Sequence, residues 1–269
     1  MYTIVRAKGD AGKAGEPLPT LWKTLAAATV HFRRGQFTLI AAAPGVGKSA
    51  LSLCLSLHAR VPSFYFSADT DPQTMFVRAA ANVSGWSTRD IENALENGNT
   101  TAVEAQLNGF DHLRWDFQAS LTIDDLEAEL KAFAVTYGAW PELIVVDNLS
   151  NVVPDVDSDS SSYVGLEKVC EYLHELARET GACVVALHHV KGESNDGDKP
   201  VPLSQIKGQI GRVPEMILTL HRVQDDIDRE LSTSRMGVSV VKNRTGRADA
   251  SGAMTLYLEA DMERMRLTG

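Results

Sequence analysis

Residues 39–51 read LIAAAPGVGKSAL: an apolar run, a turn of small residues with two glycines, then a lysine and a serine opening a helical stretch. This arrangement limits the fold more than anything else in the chain. Consecutive backbone N–H groups in a tight loop and at a helix N-terminus point inward at an anion, and only small side chains leave room for one. Ala43, Pro44, Gly45, Val46, Gly47, Lys48, Ser49 and Ala50 therefore form a candidate phosphate cradle. In such a loop Lys48 is expected to reach the outer phosphates of ATP, and the Ser49 hydroxyl to bind Mg2+. The GxxxxGK[ST] pattern would place its first glycine at position 42, where this chain has Ala42.

The rest of the chain supplies the alternation such a loop needs. Strand signals at 37–43, 63–67, 112–117, 143–146, 182–187 and 216–221 are separated by segments with helical spacing, and two more strands are expected at 238–242 and 253–258. Apolar strands alternating with amphipathic helices predict an α/β fold, a parallel sheet covered by helices on both faces. Thr122 and Asp125 form the pattern of a capping box opening a helix, and Pro72 follows Asp71 as a first helical residue follows its cap. Tyr163, Leu166, Val169, Leu173 and Leu176 recur every three or four residues and predict a helix packed on the sheet. A polar arm over 1–20 and one domain over 21–269 account for the organisation.

Composition excludes several classes. With 44% hydrophobic and 23% charged residues the chain is neither disordered nor fibrous. Cys54, Cys170 and Cys183 sit in apolar runs without metal-ligand spacing, as expected of reduced cysteines in a cytoplasmic protein. No run approaches the ~20 apolar residues of a membrane span, and no secretion signal opens the chain. The net charge of −9 excludes a uniformly basic coat, but charge is uneven: residues 1–36 hold six basic and two acidic side chains, residues 65–165 four basic and seventeen acidic. Contact with a phosphate polymer must therefore come from local loops.

A phosphate loop requires a second acid on a neighbouring strand. Asp147, closing LIVVD, suits that role and would hold Mg2+ through water. Hydrolysis also needs a group to orient or deprotonate water. Asp69 and Asp71 both follow the strand SFYFS; Asp69 is favoured, because Asp71 suits a helix cap.

Taken in order, these segments resemble the DnaB-type replicative helicases of the RecA fold. AAAPGVGKS is similar to that family's ARPxMGK[ST] loop, and FSADTDPQTMFVR to its FSLEMPxxQxxxR segment, which sets Asp69 on the catalytic glutamate and Arg78 on the arginine after it. VVALHHV is similar to VVALSQL, so His189 stands where the family has a glutamine sensing the γ-phosphate. VVKNRTG is similar to IxKQRNG, which implies that Lys242 and Arg244 act on nucleotide held by a neighbouring copy. His188 and His189 also fit a purely structural pair, one packed and one bonded to backbone.

The resemblance spans roughly residues 20–260 and implies a RecA-like P-loop core, a mostly parallel sheet with antiparallel C-terminal strands, and assembly into a homohexameric ring or a helical filament. With only some twenty residues ahead of the core, the chain looks like the short phage-encoded forms, without the family's N-terminal domain. The implied activity is an ATP-driven helicase or translocase on single-stranded DNA in replication, with other replication proteins as further partners. The alternative is a RecA-like recombinase or mediator ATPase that binds single-stranded DNA without processive unwinding. DNA contacts are expected from the acidic loop 151–162 and from 190–212, through Lys191, Lys199, Lys207 and Arg212. Aspartate in place of glutamate at 69 pulls the carboxylate back by roughly 1.5 Å.

Overall fold

The computed structural model describes residues 15–153, 162–223 and 234–269. The first fourteen residues of the arm and most of the acidic 151–162 loop, residues 154–161, lie outside them.

A short helix α1 (Lys23–Ala27) precedes β1 (Phe37–Ala42), every residue of which is buried. The phosphate loop leads into α2 (Lys48–His58), then β2 (Ser63–Ser67) and α3 (Pro72–Ser84). Asp71 caps α3 by accepting a bond from the Thr74 N–H, Pro72 takes the first turn, and Gly85 closes the helix in the left-handed region. Two short helices follow, α4 (Thr88–Glu96) behind a Ser87/Asp90 capping box and α5 (Thr101–Leu107). Then come β3 (Leu113–Asp116), β4 (Leu121–Thr122) and α6 (Ile123–Tyr137), which opens on the Thr122/Asp125 box expected from sequence.

The second half runs β5 (Leu143–Asp147), β6 (Val152–Val153), α7 (Ser162–Thr180), β7 (Cys183–His189), β8 (Met216–Val223), β9 (Ser234–Asn243), β10 (Thr255–Asp261) and β11 (Arg266–Thr268). Among the described residues nine strands form one sheet in the order β11-β10-β9-β8-β1-β7-β5-β2-β3. The six from β8 to β3 are parallel and the last three pairings antiparallel. The strand carrying the phosphate loop thus lies inside the sheet, where both of its faces are covered.

Packing follows the sequence pattern. Leu126, Leu130 and Phe133 of α6 and Val169, Leu173 and Leu176 of α7 enter the same main core as the fully buried Leu143, Ile144 and Val145 of β5. Burying side chains of this size stabilises the fold by roughly 1.5–3 kcal/mol each. The three cysteines are buried and free. The sequence pattern did not signal the two-residue strands β4 and β6, which pair with each other. It also missed β11, which pairs with the end of β10.

Register decides what meets at the site. Ala42 of β1 is opposite His189 of β7, and Ser67 of β2 is opposite Asp147 of β5. The carboxyl ends of four adjacent parallel strands therefore deliver the phosphate loop, His189, Asp147 and Asp69 to one edge of the sheet.

Candidate active site at the strand ends

Gly45 and Gly47 both have positive φ, +73° and +115°, which lets the loop fold back over the end of β1. A Cβ on Gly47 would lie 2.6 Å from Met236 Cε, the end of a flexible side chain that can shift, so it is the backbone conformation at φ +115° that requires glycine there. Ala42 is different. It remains within β1 as a paired, fully buried strand residue, which explains why alanine serves where the pattern has glycine.

Lys48, the first residue of α2, is buried and donates from Nζ to the carbonyl oxygens of Ala42 (3.0 Å) and Ala43 (3.2 Å). Burial lowers its pKa, and the negative charges of Asp147 and Asp69 oppose that shift. A desolvated cation at a helix N-terminus that also presents unpaired N–H groups is suited to an anion.

Asp147 is buried, and desolvation raises its pKa against the opposing hydroxyls of Ser49 and Tyr65. Tyr65 Oη donates to Asp147 Oδ2 at 2.9 Å and is 2.9 Å from Ser52 Oγ. Tyr65 is completely buried, which keeps its phenol protonated and a donor. Ser49 and Asp147 are the oxygen donors suited to a hard divalent cation. Mg2+ would be held by Ser49 and, through water, by Asp147, a set that fits the chemistry of that ion.

Asp69 and Asp71 diverge. Asp71 is occupied with Thr74, through its N–H at 3.0 Å and its hydroxyl at 2.6 Å. Asp69 instead accepts a bond from Asn148 Nδ2, and the same nitrogen is 3.3 Å from His189 Nε2. Burial lowers the His189 pKa, with the Lys48 charge adding to the effect. His188 points the other way and is fully buried; its Nε2 is 3.0 Å from the Lys207 carbonyl, and desolvation brings its pKa to about 4. One histidine of the pair thus packs against backbone while the other faces the site.

Lys242 and Arg244 do not join this cluster. β9 runs antiparallel to β8, and Asn243 is opposite Met216, which is itself beside Thr38 at the start of β1. Arg244, whose N–H bonds to the Glu215 carbonyl, therefore lies at the amino end of the parallel strands, roughly 20 Å of strand from the phosphate loop, and Lys242, opposite Ile217 and thus beside Leu39, lies about 13 Å from it. Lys242 Nζ donates to the carbonyls of Gly211 (2.8 Å) and Arg212 (2.7 Å). Arg244 pairs at 3.1 Å with Glu215, which also accepts from the Phe37 N–H and contacts His174.

The four candidate DNA contacts are spread over 190–212. Lys191 donates to the Ser204 carbonyl at 2.6 Å, Arg212 is paired with Glu167, and Lys199 and Lys207 are exposed. This segment is tied to the phosphate loop. Gly197, at φ +65°, packs so closely on it that a Cβ there would be 2.5 Å from Val46 Cγ2. Its carbonyl accepts from the Arg222 N–H at 2.7 Å. Tyr65, Ser52 and Asn148 were not legible as site residues, since the first two sit in apolar or helical patterns and the third is an ordinary residue after an acid.

Known proteins share this sequence pattern and this fold. Residues 17–266 match the model of the DnaB-like helicase C terminal domain. The chain is 46% identical over 259 residues to the Gene 65 protein of Mycobacterium phage L5, covering 96% of this chain and 95% of that one. A probable plasmid replicative DNA helicase of Chlamydia psittaci is 24% identical over 245 residues, and this chain corresponds to 51% of its length. Among solved structures, an isolated ATPase domain superposes with a TM-score of 0.81 at 17% identity, covering 99% of this chain and 95% of that chain. A DnaB-like replicative helicase studied with primase gives 0.79, also at 17% identity, over 98% of this chain and 64% of that chain. The chain belongs to the DnaB-like helicase C-terminal domain family.

Proposed function

We propose that this protein is an ATP-dependent helicase or translocase that acts on single-stranded DNA in replication, with residues 21–269 as one ATPase unit. Its nucleotide site lies between copies. The carrying observation is the division of the basic groups. Lys48 is in the phosphate loop, while Arg244 is at the opposite end of the same strands, about 20 Å away along them, and Lys242 about 13 Å away. A subunit so built completes its neighbour's site, and such an interface generates a closed ring or a helix when repeated.

Within one subunit the residues divide the work. The loop 43–50 and Lys48 bind the phosphates, Asp69 accepts a hydrogen bond from the attacking water, and His189 contacts the terminal phosphate. Mg2+ would neutralise phosphate charge at Ser49 and Asp147. Arg244 and Lys242 from the next copy stabilise charge on the transferred group, a contribution that can reach 10³–10⁵ in rate. Lys191, Lys199, Lys207 and Arg212 contact the DNA backbone, from a segment that leans on the phosphate loop through Gly197 and on β7 through His188.

Steady-state ATPase assays with and without a single-stranded oligonucleotide, paired with a strand-displacement assay, test this reading. Hydrolysis stimulated by the oligonucleotide, lost in Lys48→Ala and accompanied by displacement, is the expected result. Robust stimulated hydrolysis without displacement would reject the helicase activity.

A further inference from the structure

Asn148 is buried, follows Asp147 directly, and uses all of its hydrogen-bonding capacity inside the site. Its Oδ1 accepts from the Ser150 N–H at 2.8 Å and from the Ser150 hydroxyl. Its Nδ2 donates to Asp69 and lies 3.3 Å from His189 Nε2. These partners determine which way the amide faces. The reverse orientation would set the amide oxygen against a carboxylate and the amide hydrogens against the Ser150 N–H, and both of those contacts have the wrong sign.

Two consequences follow for the neighbours. Asp69 is exposed, and a short exposed carboxylate has several rotamers open to it unless a partner selects one. The amide nitrogen carries only hydrogens, so His189 Nε2 must present its lone pair and the ring proton must be on Nδ1. Burial and the nearby Lys48 charge both disfavour a second proton on that ring.

We infer that Asn148 is a positioning residue of the hydrolytic site, a two-pronged amide that holds the Asp69 carboxylate in one orientation and fixes His189 as its Nδ1–H tautomer. The claim rests on the assignment of Asp69 and His189 to water and phosphate proposed above. A carboxylate set back by roughly one bond compared with glutamate has little tolerance for misplacement, and an error near 1 Å can cost about 100-fold in rate. The amide removes that freedom from one side while leaving the other Asp69 oxygen available.

The test uses the full chain with ATP, magnesium and a single-stranded oligonucleotide. Asn148→Ala is expected to lower kcat about 10- to 100-fold while KM stays within about threefold, since the residue faces the water and not the phosphate loop. In an Asp69→Asn background the same substitution is expected to change the residual rate less than about twofold. Asn148→Asp keeps the shape but offers Asp69 no hydrogen, and is expected to lower kcat by at least as much as Asn148→Ala.

Nitrogen NMR of histidine-labelled protein reads the other prong without any turnover. The wild type is expected to show His189 protonated at Nδ1, and Asn148→Ala a mixture of tautomers. Wild-type kcat and an unchanged tautomer in Asn148→Ala would overturn the inference while leaving the ATPase reading intact. Equal losses with and without the Asp69 carboxylate would also overturn it, as a merely structural effect. If Asn148→Ala does not fold, a wild-type kcat in the isosteric Asn148→Asp, which has no amide hydrogen to give Asp69, overturns the inference in its place. A wild-type chain that shows the tautomer but hydrolyses no ATP would remove the reading of the site, and the positioning role with it.

Discussion

Replacing Tyr65 by Phe removes one oxygen from the interior and leaves the aromatic ring's shape unchanged. That oxygen donates to Asp147 Oδ2 at 2.9 Å and meets Ser52 Oγ at the same distance, with Tyr65 completely buried and Asp147 only 3% exposed. Hydrogen bonds to charged groups contribute about 1.5–3 kcal/mol and neutral ones about 0.5–1.5 kcal/mol. Tyr65→Phe should therefore destabilise the protein by roughly 1.5–3 kcal/mol wherever Asp147 is ionised.

The sign of the pH dependence follows from burial. Desolvation holds the folded-state pKa of Asp147 above its ordinary value, so the native state binds the proton more tightly than the unfolded chain does. Stability from this group is lost at neutral pH and recovered as pH falls through the raised value. Losing the Tyr65 donor raises that value further, so the gap between variant and wild type should narrow on acidification. Urea unfolding at pH 7 and at successively lower pH, as far as the protein stays folded, measures both differences. A loss that stays constant over the whole acid series, or no loss at pH 7, would refute the assignment of Tyr65 as a donor to the Asp147 carboxylate.

Gly197→Ala adds a Cβ 2.5 Å from Val46 Cγ2 in a left-handed conformation, and should weaken nucleotide binding, measured with a fluorescent ATP analogue, by loosening the phosphate loop. Unchanged affinity would show that the loop tolerates the intrusion. The thiols of Cys54, Cys170 and Cys183 are buried with pKa values raised by desolvation, to about 11 for Cys54 and about 12 for the other two. They should react with a chromogenic disulfide reagent at neutral pH only after denaturation; three fast equivalents from native protein would contradict their placement. Phe133→Ala should cost about 3–5 kcal/mol by opening a cavity where its ring meets Phe64, read from the urea midpoint.

Much of the fold was legible because period and burial coincide. The strand SFYFS was bounded correctly, and its five residues are all buried. Asp71–Pro72 and Thr122–Asp125 announced helix starts through cap chemistry that acts locally. β4, β6 and β11 were missed because strands of two or three residues have no measurable period and exist only through their pairing partners. In the site, the phosphate loop and Asp147 were legible since their chemistry demands a fixed order along the chain. Geometry separates Asp69 and Asp71, with one beside Asn148 and the other capping α3. Asn148 and Tyr65 gave no signal, since their roles come from strands that meet only in three dimensions: β2, β5 and β7. The placement of Lys242 and Arg244 away from the phosphate loop likewise depends on the antiparallel turn of β9, which a motif cannot express.

Mixing two inactive variants tests the shared-site claim most directly. Lys48→Ala damages the phosphate loop, and Arg244→Ala damages the edge about 20 Å away. When the two proteins are mixed over a range of ratios with a single-stranded oligonucleotide, some interfaces pair an intact Lys48 with an intact Arg244 from the next copy. ATPase activity should then rise above that of either variant alone and pass through a maximum at an intermediate ratio. Activity that never exceeds the sum of the two parts at any ratio would contradict a site completed by the neighbouring subunit.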